Sequence, residues 1–146
     1  MEVSEGAMWY LAELVMKIVV ADDARNVVHQ NLVLVRATTP EEAYEKALHF
    51  GKNAETSYEN PDGKTVQISF EGLSDLDLID EELEDGAELR FHYKVNVSEE
   101  QLQSIVRPRD RLRAFLPPMR AEGPDYSSRD VLALVRRKLG ERSRPT

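Results

Sequence analysis

Arg36-Ala37-Thr38-Thr39-Pro40-Glu41-Glu42-Ala43-Tyr44-Glu45-Lys46-Ala47-Leu48-His49-Phe50-Gly51 lies between two strand-like segments and carries the clearest helix signals of the chain. It reads as the end of a strand, a capped helix and a helix stop. Thr39 suits the N-cap, where its hydroxyl accepts from an otherwise unpaired backbone N–H. Pro40 then falls at the first helical position, where its missing N–H costs nothing, and Glu42 is spaced to complete a capping box with Thr39. Gly51 is expected to close the helix in a left-handed conformation. Ala43, Ala47 and Phe50 recur at helical spacing, with Tyr44 and Leu48 widening the stripe. Two alanines on that stripe predict that the helix lies close to a sheet.

The flanking segments supply the sheet. From Trp9 to Val20 the chain alternates, with Tyr10, Ala12, Leu14, Met16, Ile18 and Val20 facing one way and Glu13, Lys17, Leu11 and Val15 the other. A polar turn at residues 22–26 leads to a second strand over about Val28 to Ala37, so the two are expected to form an antiparallel hairpin. After the helix, residues 55–59 read as extended. Asn60-Pro61-Asp62-Gly63 is a turn, and the alternation of Val66, Ile68 and Phe70 predicts another strand. Asp75 to Leu83 reads as a short acidic helix from the spacing of Leu76, Ile79 and Leu83. Leu89, Phe91, Tyr93 and Val95 alternate as a final strand. The order β-β-α-β-β-β predicts an α+β fold, a mainly antiparallel sheet with one principal helix packed on it, plus a helical C-terminal extension.

Charge marks a boundary within the 146 residues. Residues 1–98 carry 20 acidic and 8 basic side chains, whereas residues 99–146 carry 7 acidic and 11 basic ones, ten of them arginine. An α+β domain over 1–98 and a basic helical extension over 99–146 are therefore expected. There is no cysteine, which removes disulfides and thiolate chemistry. No apolar run reaches the length of a membrane span, and the acidic start lacks the order of a signal peptide, so a cytoplasmic protein without membrane contact is expected. In the extension, Ser98-Glu99-Glu100-Gln101 forms a second capping box, and residues 121–127 read as a linker. A last helix is predicted over residues 129–139, its apolar side formed by Val131, Leu132, Val135 and Leu139.

Several pieces taken together resemble a bacterial family of domains of unknown function, the one numbered 4288. They are Trp9-Tyr10, the run His29 to Leu34, Pro40 to Ala47, Glu55 to Lys64, and Gly72 to Leu76. The resemblance spans roughly residues 8–92. It implies a small soluble α+β domain and no particular activity, and the basic extension lies outside it.

Candidate functional residues fall into two groups. His29, Asn31, Glu55, Tyr58, Glu59 and Asn60 come from two segments that would line a ligand cleft if they met at one end of the sheet. An enzyme of unknown reaction at His29, Glu55, Tyr58 and Glu59 is one alternative. The plainer roles are that Asn60 and Asp62 serve the turn, Tyr58 packs and His29 ends a strand. No nucleophile elbow, phosphate loop or metal-ligand spacing occurs, so no catalytic residue, metal or cofactor is expected. The second group is a partner-binding set: Arg107, Arg109, Arg111, Arg113, Val131, Leu132, Val135, Arg136, Arg137 and Leu139. Guanidinium forks suit phosphate or carboxylate, which makes nucleic-acid association through the extension the other alternative. The leading expectation is a non-enzymatic interaction module, self-associating as a homodimer or binding a protein partner.

Overall fold

β1, Met8–Val20, is buried along one face because every second side chain from Tyr10 to Val20 is apolar. The computed structural model describes residues 6–117 and 123–128. β1 pairs antiparallel on one side with β2, Asn26–Ala37, and on the other with β4, Thr65–Leu78. β3, Thr56–Glu59, adds to the far side of β4, giving the order β2-β1-β4-β3. The α+β fold with a mainly antiparallel sheet and one principal helix is as expected.

That helix is α1, Pro40–Asn53. Thr39 Oγ1 accepts the Glu42 backbone N–H at 3.1 Å, as its N-cap position requires. The Glu42 carboxylate does not close the box onto Thr39. It reaches one residue further back, accepting from the Thr38 hydroxyl at 2.7 Å and the Thr38 N–H at 3.4 Å. Gly51 departs from expectation as well. The helix runs past it to Asn53, and Ala54 caps it in a right-handed conformation. Gly51 is buried because the Phe70 ring of β4 packs where its side chain would be; an added Cβ would meet ring carbons at 2.3–2.5 Å. The buried stripe is therefore Ala43, Ala47 and Gly51, while Phe50 and Tyr44 are exposed.

Two expected elements are absent from the structure. Residues 75–83 form no helix, since residues 75–78 are the end of β4. Two irregularities in the β1–β4 register skip Ser74 and Glu71, so the inward residues of β4 run Val66, Ile68, Phe70, Leu73, Leu76 and Leu78. Each bulge inserts one unpaired residue and stretches the period from two to three, which keeps Phe70, Leu73 and Leu76 on one face of β4. The strand expected at 89–95 is not formed either. Phe91 is 70% and Tyr93 80% exposed, so their alternation serves no sheet.

Contacts divide the chain into two units, one drawn from Met1–Arg90 and Gly123–Thr146, the other from Phe91–Glu122. In the second unit α2, Glu99–Ile105, begins with the expected capping box: Ser98 Oγ accepts from Gln101 N–H and Gln101 Oε1 accepts from Ser98 N–H, both at 3.1 Å. Two single turns of 3₁₀-helix follow at Arg109–Arg111 and Arg113–Phe115. The segment read as a linker is otherwise in part: residues 123–128 lie on the sheet, as described below. The helix expected over 129–139 falls outside the described residues.

Gly51→Ala should destabilise the fold even though alanine is the better helix former by about 1 kcal/mol, because overpacking against Phe70 costs roughly 1–3 kcal/mol. In a Phe70→Leu background the same change should become neutral or stabilising. Chemical denaturation of the four proteins tests both signs. Ala47→Leu should also lower the melting temperature, since Ala47 is fully buried against the sheet. Gly63→Val should be costly too, because Gly63 has φ +77 and donates to the Asn60 carbonyl at 2.9 Å.

Candidate functional site

The inner face of the sheet carries two apolar groups of residues. Tyr10, Ala12, Leu14, Met16, Val35 and Ala37 pack beneath Ala43 and Ala47 of α1. Ile18, Val20 and Val66 form a second group beyond the end of the helix. A helix of 14 residues spans ~21 Å, and a strand of 13 residues spans ~44 Å. Even laid along the strands, α1 could not cover β1. The second group is covered instead by Tyr126, carried on residues 123–128, which cross the sheet as a strap.

The strap is tied down by residues that the sequence had singled out. Asn60, 2% exposed, uses both the oxygen and the nitrogen of its amide. Its Oδ1 accepts the N–H groups of Asp62 at 3.0 Å and Lys64 at 2.8 Å, fixing the β3–β4 turn. Its Nδ2 donates to the Asp125 carbonyl at 2.9 Å. The Tyr58 hydroxyl donates to the Tyr126 carbonyl. His29 Nε2 lies 3.2 Å from the Tyr126 hydroxyl, and the two rings meet edge to face at 5.4 Å between centroids. Within the strap, the Asp125 carboxylate accepts from the Ser127 N–H at 3.0 Å and hydroxyl at 2.5 Å, and Pro124 is buried. Tyr58 and Asn60 thus grip backbone carbonyls, and His29 grips a side chain.

Between α1 and the strap remains a cleft of about 530 Å3. Met16, Ile18 and Ile68 line it with apolar surface, Ala54 stands at the helix end, and His29, Asn31, Tyr58, Tyr126, Ser127 and Ser128 bring polar groups to it. Of the six residues expected to share a ligand site, His29, Asn31 and Tyr58 line this cleft, and Asn60 holds the strap beside it. Glu55 and Glu59 are not brought in. Glu55 accepts the Phe70 backbone N–H at 3.0 Å, which holds its carboxyl below the usual range. Glu59 is an exposed residue of β3, and the partner of His29 is Tyr126 rather than a carboxylate. Burial beside Tyr126 and Asp125 raises the Tyr58 phenol above its ordinary value.

A polar cluster that sequence reasoning missed lies on the opposite face. Arg90 donates to Glu13 Oε2 at 2.8 Å and lies 3.5 Å from Asp75, while Gln30 donates to Glu13 Oε1 at 2.9 Å. Glu13 was visible as a lone acid on the apolar strand β1, but nothing in the spacing pointed to Arg90. In the second unit, the Arg109 guanidinium lies over the Phe115 ring at 4.1 Å. Val131, Leu132, Val135, Arg136, Arg137 and Leu139 lie outside the described residues.

These features describe a two-layer α+β domain whose principal helix covers only part of its sheet. The chain belongs to the family described as "Domain of unknown function (DUF4288)", whose model matches residues 9–90. No curated protein and no solved structure matches it. Among the described residues no helix is long and apolar enough to cross a membrane. The matched span contains His29, Tyr58 and Asn60 but not the strap that they hold.

Tyr58→Phe should cost about 0.5–1.5 kcal/mol, the net worth of one hydrogen bond. The dependence on pH follows from the raised phenol. A group whose folded pKa lies above its unfolded value contributes fully below the unfolded value and loses that contribution as pH rises through the folded one. The stability gap between wild type and Tyr58→Phe should therefore be constant up to pH ~10 and close above it. Urea melts of the two proteins across the alkaline range measure it.

Proposed function

We propose that this domain is a non-enzymatic interaction module that self-associates through β2. One observation carries the reading: β2 is a 12-residue strand with only one paired side among the described residues. A strand edge presents unpaired N–H and C=O groups, and proteins normally blunt long edges with lysine, proline or bulges. β2 has no lysine and no proline, and Arg36 is its one charged residue. On its outer face Val28 and Leu32 are each 54% exposed, with Leu34 beside them. The opposite edge, β3, is only four residues long.

An antiparallel β2–β2 contact about a two-fold axis is self-complementary, since the same strand serves both partners. It would join two four-stranded sheets and satisfy both edges. Valine and leucine side chains would then meet across the junction, where cross-strand apolar pairs add stability. The domain's acidic charge argues for pairing at this apolar strand rather than elsewhere, because like charges on other surfaces oppose association.

The wild-type protein should show twice the 16.6 kDa mass of one chain by light scattering. Leu32→Lys with Leu34→Lys should weaken the dimer by about a hundredfold or more while leaving the far-ultraviolet circular dichroism unchanged. A wild-type mass of one chain across the whole concentration range would sink the reading.

A further inference from the structure

We propose that the cleft between the end of α1 and the strap binds a small uncharged amphipathic molecule, with a flat apolar body and a hydrogen-bonding edge. The cleft lies on the face of the sheet opposite to Val28, Leu32 and Leu34, although His29 and Asn31 reach it from β2 itself. Its volume of about 530 Å3 lies within the range of small-molecule sites. The walls are of two kinds. Met16 and Ile18, already buried in the core, form the floor, and the partly exposed Ile68, Tyr58 and Tyr126 supply the apolar surface that rewards an apolar body. The rim offers hydrogen-bonding groups with capacity to spare. Among the described residues, neither the Asn31 amide nor the Ser128 hydroxyl makes a side-chain hydrogen bond. The Asn31 amide presents a donor and an acceptor side by side, so its natural complement is an edge that carries both, as in an amide or a nitrogen heterocycle.

Charge selects further. Among the described residues no Asp, Glu, Lys or Arg lines the cleft. An ionised ligand would give up hydration there without a compensating counter-charge, so a neutral one is preferred. Tyr126 makes the site conditional: it forms one wall, and His29 and Tyr58 hold it there. The strap therefore completes the ligand site as well as covering the sheet.

The test is a fluorescence titration of the full chain with the neutral probe N-phenyl-1-naphthylamine, with its anionic relative 8-anilinonaphthalene-1-sulfonate as the contrast. Wild type should bind the neutral probe saturably with one site per chain, and the anionic one about tenfold more weakly or less. Ala54→Leu, which fills the mouth from an exposed position, should weaken the neutral probe about tenfold. Asn31→Ala should weaken it about three- to tenfold. Leu32→Lys, on the other face, should leave it unchanged, which separates this site from the proposed dimer surface. Melting temperatures of the variants confirm that they fold. Absence of saturable binding by wild type, equal binding by Ala54→Leu, or loss of binding in Leu32→Lys would overturn the assignment.

Discussion

A mismatch between helix length and strand length governs how this sheet is covered. Strands gain length about twice as fast per residue as helices do, so a single helix of 14 residues leaves half of a long sheet face uncovered. Apolar side chains on that half, Ile18, Val20 and Val66, still have to leave water. The protein meets the constraint with a short non-helical segment whose Tyr126 packs on the second group. The helix ends where the Phe70 ring and Gly51 interlock, and the strap takes over on the other side of the cleft.

An irregular segment on a sheet face raises a difficulty of its own. Its backbone groups are taken out of water without strand pairing to satisfy them. Tyr58 and Asn60 answer this by donating to successive strap carbonyls. Asn60 is the more constrained of the two, because its amide oxygen is already committed to two N–H groups of the β3–β4 turn. One side chain thus couples the geometry of a local turn to a contact 65 residues away.

Where local physics decides the outcome, the sequence was legible. The Thr39-Pro40 start of α1, the Asn60–Gly63 turn and the face of β1 each follow from residues within a few positions of one another. What misled were cases in which a distant residue sets the meaning of a local one. Gly51 has the composition of a helix stop, yet its lack of a side chain serves Phe70, 19 positions on. Leu76, Ile79 and Leu83 have helical spacing, yet Leu76 pairs with β1 as part of β4, and the Ile79 N–H donates to the Trp9 carbonyl. The cluster His29, Tyr58 and Asn60 was visible as polar residues in unexpected places, but its partner could not be read, since residues 123–128 have the composition of a linker. Glu55 and Glu59 were drawn into the same candidate site by proximity in sequence alone, and strand alternation separates their roles.

The sequence position of the strap has a consequence for the order of synthesis. The sheet and α1 are complete once residue 90 has been made, but the strap begins at Gly123. Translation at ~5–20 residues per second leaves an interval of seconds in which the second apolar group has Val27, Tyr58 and Ile68 against it but not yet Tyr126. Neighbouring chains on one message would share that exposure, each with a receptive sheet face and, soon after, a strap of its own. Cotranslational crowding therefore offers a kinetic route by which straps exchange between nascent chains.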